Sequence, residues 1–193
     1  PLHGSIKIGG TPLSDLNPHT WRAATGSVMQ DSFIFSDTIE GNITISAEEV
    51  DKSRMKGAAA MACIGDYIDS LPLGYNTVIG MEGKGVSQGQ RQRILIARAI
   101  YKNPEYIFLD EATNSLDATN ESRIMENLRE FYQGRTVIVS AHRLSTVRDA
   151  DQIVVMSHGE IVERGTHEAL LQKRGKYYNL VKNQMVNDTN SVH

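Results

Sequence analysis

Four polar residues, Gln30, Asp110, Glu111 and His142, stand at or just behind the ends of three apolar runs. In open α/β sheets ligands bind beyond the carboxyl ends of the strands, so side chains at such positions can converge on one rim. Mg²⁺ takes oxygen ligands and keeps several waters, which makes Asp110 with the amide oxygen of Gln30 a suitable partial shell. Glu111 could orient or deprotonate an attacking water, and His142 could donate to a γ-phosphate. The pattern favours Mg²⁺-dependent phosphoryl transfer.

A second feature suited to phosphate lies directly before a predicted helix, in Ser87-Gln88-Gly89-Gln90. Ser87 is a good N-cap, and a glycine lets the backbone approach a ligand closely. Free N–H groups and the helix dipole favour an anion at such a helix start. This stretch therefore indicates a phosphate contact.

Each of these features also has a purely structural explanation. An Asp-Glu pair behind a strand is more often the N-cap and first-turn acid of the following helix. A single histidine is more often a satisfied surface or core residue, and Ser87 can open an ordinary capped helix. Taken one at a time, these residues leave both interpretations open.

The predicted secondary structure gives these residues a common frame. Apolar runs at 106–109 and 136–139 are typical of strands buried on both faces, and shorter strands are predicted at 6–8 and 27–29. A capping box at Ser46 and Glu49 predicts the start of a helix that runs towards residue 62. Further helices are predicted at 65–70, 90–101, 121–131, 168–172 and 177–185. A hairpin is predicted over 153–162. Residues 11–25 are predicted to be irregular apart from a helical turn near Asn17.

The order of these elements predicts the α/β fold class with a mostly parallel sheet. Residues 1–30 and 104–186 are expected to form the α/β core. Residues 31–103 are expected to form an inserted helical subdomain. The polar residues 187–193 are expected to be a disordered tail.

Composition limits the class of protein further. The 193 residues, 40% of them hydrophobic, can bury one substantial core. A net charge of -3 provides no general attraction to nucleic acid or to an anionic membrane. Cys63 is the only cysteine, which excludes an internal disulfide. No apolar run approaches the ~20 residues that a membrane span requires, so work at a membrane would need another segment to cross it.

In their order along the chain, these motifs resemble those of the ABC ATPase family. The matching segments are Gln30 as the Q-loop glutamine, Thr77-Val78-Ile79-Gly80-Met81-Glu82-Gly83 before the signature, Val86-Ser87-Gln88-Gly89-Gln90 as the signature motif, Ile107-Phe108-Leu109-Asp110-Glu111 as Walker B, Ser115-Leu116-Asp117 as the D-loop and His142 as the switch histidine. Val86 and Gln88 depart from the usual signature, which has Leu and Gly there. The resemblance covers nearly the whole chain and implies a P-loop NTPase-like core with ATP and Mg²⁺ as cofactors.

The resemblance also implies a role for each matched residue. Two such domains enclose two ATP molecules, and the signature motif of one, with Ser87 and Gly89, caps the ATP held by the other. Asp110 would hold Mg²⁺ with Gln30, and Glu111 would polarise the attacking water. His142 would hold the γ-phosphate and Asp117 would connect the two sites.

One family element does not occur in the sequence. No G-x-x-x-x-G-K-[ST] phosphate loop is found, and Gly83-Lys84-Gly85 lacks both the first glycine and the following Ser or Thr. Because every later motif is represented, truncation upstream of Gly4 is the favoured expectation, and natural loss is the alternative. Without that loop the chain is expected to be inactive by itself.

The resemblance favours the exporter type, through residues 33–39 after Gln30 and residues 71–77 before the signature. Gln88 points towards peptide or bacteriocin exporters. The expected partners are transmembrane domains and a second copy of the domain, with no nucleic acid, at the cytoplasmic face of a bacterial inner membrane. The alternatives are a soluble ABC ATPase outside transport and a non-catalytic interaction module.

Overall fold

The computed structural model describes residues 3–30, 32–45, 47–80, 85–112, 116, 118–140 and 144–190, without the side chains of 118, 119, 144, 145 and 185–190. The chain divides into two compact units, Pro1–Ser140 and Ala141–His193. The finer division into an α/β core and a helical subdomain stays a prediction.

The first unit alternates short strands with helices. Its strands are β1 Lys7–Ile8, β2 Thr11–Pro12, β3 Thr25–Val28, β4 Asp37–Thr38, β5 Val78–Ile79, β6 Tyr106–Asp110 and β7 Thr136–Ser140. Its helices are α1 Pro18–Ala24, α2 Ile39–Ile43, α3 Lys52–Met61, α4 Gly65–Ser70, α5 Gln88–Lys102 and α6 Ala118–Tyr132, with 3₁₀ turns at Leu13–Asp15 and Gly74–Asn76.

A parallel sheet in the order β3-β6-β7 forms the centre of this unit. Two small antiparallel ladders, β1 with β2 and β4 with β5, lie apart from it. The mixed α/β class with a parallel sheet is as predicted. The prediction that residues 136–139 are buried on both faces is wrong, because one face of β7 is exposed at Thr136, Ile138 and Ser140.

Helix α5 packs against α2, α3 and β3 and carries much of the core. Ile94 and Ala97 on α5 are completely buried, together with Val28 on β3 and Ile39 on α2. Burying one such aliphatic side chain contributes about 1.5–3 kcal/mol, so α5 is held chiefly by its apolar face. The predicted helix at 90–101 is confirmed, and Ile94, Ala97 and Tyr101 on it are all buried.

Helix α3 begins later than predicted. Glu49 lies outside it, Ser46 lies outside the described residues, and the N-cap is Asp51, whose carboxylate accepts the N–H of Arg54 at 3.0 Å. The Tyr101 hydroxyl accepts the N–H of Asp51 at 3.1 Å. Asp51 offers a local cap as Ser46 does, and this contact with α5 also holds the chain at Asp51.

Residues 11–25 are more regular than predicted. They contain β2 and the seven-residue helix α1. Asn17 caps α1 by accepting the N–H groups of His19 at 2.8 Å and Thr20 at 3.3 Å. Pro18 occupies the first turn, where its missing N–H costs nothing.

The second unit contains α7 Leu144–Val147, β8 Ile153–Ser157, β9 Glu160–Gly165, α8 His167–Lys173 and α9 Lys176–Asn190. The predicted hairpin is the antiparallel pair of β8 and β9. The Glu163 carboxylate accepts the N–H groups of Lys176 at 2.7 Å and Tyr177 at 2.9 Å, which caps α9 from the hairpin. Residues 187–190 continue α9, so the expectation of a tail from residue 187 is wrong for these four.

Among the described residues, none of the helices combines the length and the apolar character needed to cross a bilayer.

Candidate functional site

The strands place the predicted site residues Gln30 and Asp110 along one edge of the sheet, together with Ser140. Strands β3 and β6 run parallel with Val28 opposite Leu109, and β6 and β7 run parallel with Asp110 opposite Ser140. All three strands therefore end on the same side. Gln30, Asp110 and Ser140 follow or close these ends, which is the arrangement expected at the carboxyl edge of an α/β sheet.

Asp110 and Glu111 occupy the end of the central strand. Both are half-buried, and Asp110 is the last residue of β6. Glu111 has a φ of 51°, in the left-handed region that costs a residue with a Cβ roughly 1–2 kcal/mol. Its N–H donates to the carbonyl of Ser140 at 2.9 Å, which helps to hold this backbone conformation. The chain thus turns sharply between the two acidic side chains.

Gln30 lies on the exposed surface two residues beyond β3. Met29 and Ser32, which flank Gln30, are joined by two hydrogen bonds. The N–H of Met29 donates to the Ser32 hydroxyl at 2.9 Å, and the N–H of Ser32 donates to the carbonyl of Met29 at 3.0 Å. These two bonds fix the segment that carries Gln30 without using its side chain.

The residues Ser87 to Gln90 form a complete capping box at the start of α5. The Ser87 hydroxyl accepts the N–H of Gln90 at 3.2 Å, and the Gln90 side-chain oxygen accepts the N–H of Ser87 at 2.7 Å. A hydroxyl that accepts one bond still has its own proton to donate. Ser87 can therefore cap the helix and donate to an anion at once, while Gln88 and Gly89 supply the first N–H groups of the helix.

An arginine joins this helix start to the segment that follows Gln30. Nη2 of Arg91 donates to the carbonyl of Ser32 at 2.8 Å. The first turn of α5 therefore lies beside the end of β3. The structure brings together, within one chain, the Ser87–Gln90 stretch and the segment that carries Gln30.

Two predicted site residues lie outside the described residues: Asp117 and His142. Their roles stay predictions.

The donors at this edge suit Mg²⁺. Carboxylate and amide oxygens from Asp110 and Gln30 are hard ligands, and both residues retain access to water, which Mg²⁺ keeps in its shell. A cage of three or more His, Cys, Asp or Glu side chains does not occur in the described part of the chain.

The comparison with protein families identifies the chain. The family model described as ABC transporter matches residues 1–114, more than half of the sequence. The chain belongs to the ABC transporter family. The resemblance first drawn from the motifs is thereby confirmed.

The relatives of this ABC transporter chain include a flippase and a translocation ATP-binding protein by name. It is 48% identical over 181 residues to an ATP-dependent lipid A-core flippase of Saccharophagus degradans, covering 94% of this chain and 31% of that protein. It is 44% identical over 187 residues to the leukotoxin translocation ATP-binding protein LktB of Mannheimia glucosida, covering 97% of this chain and 26% of that protein. The chain thus spans about a third or less of the length of these relatives.

A solved structure shares the fold of this ABC transporter chain. A bacterial Atm1-family ABC exporter with ATP bound superposes with a TM-score of 0.90 at 40% identity, covering 94% of this chain and 32% of that one. The predicted fold, that of the ATP-binding domain of ABC exporters, is therefore confirmed.

Sequence reasoning missed two residues of the ABC transporter chain that organise the surroundings of this site. Asn42 on α2 is completely buried, and Arg98 on α5 donates to its carbonyl at 2.7 Å and to its side-chain oxygen at 3.1 Å. Burial lowers the pKa of Arg98 to about 10, which leaves it charged at neutral pH. The seven-residue spacing of Arg91 and Arg98, which puts both on one helix face, is the signal that could have found Arg98.

Proposed function

We propose that this chain is the ATP-binding and hydrolysing part of an ABC exporter, which uses MgATP at the edge formed by the ends of β3, β6 and β7. The proposal is supported above all by Asp110 and Glu111 at the end of the central strand, between the end of β3 and Ser140. Phosphoryl transfer of this kind depends mainly on positioning and charge stabilisation. Two carboxylates and an amide oxygen at the ends of adjacent strands can position a Mg²⁺ ion and the attacking water, and the ion would supply the charge stabilisation.

In this proposal Asp110 and the amide oxygen of Gln30 would hold Mg²⁺, which would neutralise charge on the phosphates. Glu111, one residue further along the chain, polarises the water that attacks the γ-phosphate. The left-handed backbone at Glu111 turns the chain between the two residues, so they need not act on the same atom. His142 holds the γ-phosphate, as the family resemblance implies.

The Ser87–Gln90 stretch acts on the ATP of a second copy. Ser87 and Gly89 contact its γ-phosphate, with Gln88 and Gln90 in the same motif, and Asp117 connects the two sites. This role is supported by the capping box, which leaves the Ser87 hydroxyl proton to donate while the first N–H groups of α5 point out of the helix.

Transmembrane domains are the second proposed partner. Phe33, Phe35 and Val78 are exposed, and the pairing of Thr38 with Val78 brings their segments side by side. A cleft of about 430 Å³ next to Phe33 and Phe35 is also lined by Ile45 and Arg98. An apolar surface with a cleft suits a partner helix, and such a partner would hold the domain at the cytoplasmic face of a membrane.

The cargo stays a prediction. Gln88 in the signature motif favours a peptide or bacteriocin. The names of the relatives refer to lipid A-core and to leukotoxin, so similarity in this domain does not select one cargo class.

The test is ATP hydrolysis by the full-length exporter chain, because these 193 residues contain no phosphate-cradle loop and we infer that alone they hold MgATP weakly. Glu111→Gln keeps the size of the side chain but removes the carboxylate, so hydrolysis should fall by at least about 100-fold while ATP binding persists. Hydrolysis is measured as phosphate release, and ATP binding by a fluorescent nucleotide.

Glu105→Gln is the matched control. Glu105 is exposed and precedes β6, at the opposite end of the same strand, so its substitution should leave the rate unchanged. Hydrolysis by Glu111→Gln at the wild-type rate would overturn the proposal.

A further inference from the structure

Helix α5 carries a stripe of three basic residues that bond to the backbone of residues 22–42. Arg91, Arg98 and Lys102 are spaced by seven and four positions, which places them on one face of the helix. Arg91 donates to the carbonyl of Ser32 at 2.8 Å, and Lys102 donates to that of Arg22 at 2.6 Å. The helix that begins at the Ser87–Gln90 stretch is therefore attached at Arg91 to the segment that follows β3 and at Lys102 to α1, which precedes β3.

Arg98 makes the densest of these attachments. Its Nη1 donates to the carbonyl of Phe33 at 3.1 Å, its Nε to the carbonyl of Asn42 at 2.7 Å, and its Nη2 to Oδ1 of Asn42 at 3.1 Å. Its guanidinium also lies 5.4 Å from the centre of the Phe35 ring. A largely buried cation is stable only when its donors are satisfied in this way, so the position of each acceptor is tied to that of Arg98.

Asn42 extends this attachment across the segment. Its Oδ1 accepts the N–H of Phe35 at 2.8 Å, and its Nδ2 donates to the carbonyls of Phe35 and Thr38, both at 3.0 Å. The side-chain amide of Asn42 thus bonds both the N–H and the carbonyl of Phe35, as the backbone of a paired strand does. Because Asn42 is completely buried, losing any of these bonds leaves a polar group without water to replace it.

The residues held in this way present their side chains to solvent. Phe33 is 52% exposed and Phe35 is 38% exposed, with their ring centres 4.5 Å apart. In the proposed function this aromatic pair belongs to the surface that meets the transmembrane domains. Arg98, a residue of the helix that begins at the signature motif, therefore contacts that surface directly through its guanidinium.

We propose that Arg98 is a positioning residue that transmits displacement of the Phe33–Phe35 pair along α5 to Ser87. A continuous helix of this length moves as a rod, so a push at Arg98 reaches Ser87, about 16 Å away, with little loss. The inference rests on the proposed function and deepens it, because it assigns the regulation of the signature motif to a residue outside it.

A merely structural role of Arg98 predicts something different. In that case its loss would destabilise the domain independently of the Phe33–Phe35 pair. The kcat losses of a double variant would then multiply. If Arg98 is the connection, removing either end should cost the same as removing both, because sites that share one coupling path are not additive.

The test is a double-mutant cycle of ATP hydrolysis in the full-length exporter, reconstituted in vesicles of phosphatidylethanolamine and phosphatidylglycerol. Arg98→Lys keeps the charge but lacks the planar fork of donors that reaches Phe33 and Asn42 together, and Phe33→Ala removes part of the exposed pair. Each is expected to lower kcat about fivefold with the KM for ATP within about twofold, and the double variant should also be about fivefold down. A loss of about 25-fold in the double variant, or an unchanged kcat in Arg98→Lys, would overturn the proposal.

Arg135→Lys is the matched control. Arg135 makes a comparable set of contacts, with the carbonyls of Pro104 and Phe131 and with Oδ1 of Asn103, and stacks on Phe131. It lies away from the 33–42 segment, so its effect should multiply with that of Phe33→Ala. The thermal unfolding temperature of each variant shows whether Arg98→Lys and Arg135→Lys destabilise the protein to a similar extent.

If Arg98→Lys does not fold, Asn42→Asp replaces it in the cycle. This change keeps the backbone carbonyl and the Oδ1 that accept from Arg98, and it replaces the group that donates to Phe35 and Thr38 with a charged oxygen that cannot donate. It should again be non-additive with Phe33→Ala, and multiplying losses would overturn the inference. Wild type and Glu111→Gln are measured in the same vesicles. If they hydrolyse alike, the proposed function fails and this inference with it; if they differ and the cycle is additive, only the inference fails.

Discussion

Single side chains near the ends of α5 and β6 combine structural and chemical roles. Ser87 caps α5 through its hydroxyl oxygen, and the same hydroxyl can donate its proton to a phosphate. A loss of activity in a Ser87 variant could therefore come from a weaker helix start or from a lost phosphate contact. Two substitutions separate these causes.

Ser87→Ala removes both roles, whereas Ser87→Asp keeps the cap and replaces the donor with a negative charge. We expect Ser87→Ala to lower the free energy of unfolding by about 1 kcal/mol, and Ser87→Asp to leave it nearly unchanged. Both should lose ATP hydrolysis in the full-length chain, Ser87→Asp because a carboxylate repels phosphate. Denaturant unfolding and phosphate release are the measurements. Hydrolysis by Ser87→Asp at the wild-type rate would mean that Ser87 is only a cap.

At the scale of the elements, the close approach of β3 to the loop before β6 sets how the sheet begins. A Cβ built on Gly26 would lie 2.6 Å from Cγ of Pro104, closer than two carbon atoms can pack. Glycine at this position lets β3 pair with β6 while the proline ring covers it. The pairing of β3, the strand that leads to Gln30, therefore requires a residue without a Cβ at position 26.

Gly26→Ala should destabilise the chain by about 1–3 kcal/mol, because the proline ring and the strand must move apart. Gly57 is the matched control, since it lies exposed inside α3 and a Cβ there meets nothing within 4 Å. Gly57→Ala should stabilise the chain by about 0.5–1 kcal/mol through lower backbone entropy in the unfolded state. Urea unfolding of both variants checks the pair. A Gly26→Ala protein as stable as wild type would show that β3 does not approach Pro104 this closely.

Most elements could be predicted from the sequence, since periodicity and apolar runs are local properties. Helix α4 has the predicted bounds, and β6 and β7 each extend the predicted strand by one residue. The start of α3 was predicted too early, because Ser46 and Asp51 both offer a local cap. Asp51 caps the helix in the structure, and its N–H also bonds to Tyr101, 50 positions away, a contact that the local pattern does not reveal.

At the scale of the whole molecule, the sheet of the first unit ends in an open edge. Within the described residues no strand pairs with the outer side of β7. Ile138 on β7 is 55% exposed, although parallel strands are usually covered on both faces. An unpaired edge with an exposed apolar side chain is a site for association.

The 193-residue chain alone should therefore self-associate independently of nucleotide, and Ile138→Lys should weaken this association about tenfold, because a charge on an edge strand opposes pairing. Leu73→Lys is the control. Leu73 is 66% exposed but lies in the turn after α4, so its substitution should have no effect. Sedimentation velocity over a range of concentrations measures both. Association that is equally strong in Ile138→Lys would place the contact elsewhere.

The family and the candidate residues could be predicted from the order of residues alone, because the motifs consist of neighbouring residues in a set order. The fold class could be predicted as well, since apolar runs alternating with amphipathic segments are stable in few arrangements. The position of β6 between β3 and β7, which brings Asp110 between the end of β3 and Ser140, depends on strand pairing and follows from the three-dimensional structure.

The tertiary structure likewise decided what holds the segment after Gln30. Arg98 and Asn42 are 56 positions apart in the sequence, and their bonds form only when α2 packs against α5. Hydrogen bonds of this kind depend on distance and direction, which residue types and spacing along the chain do not specify. The sequence therefore contained the groups of the site, and packing determined which of them meet.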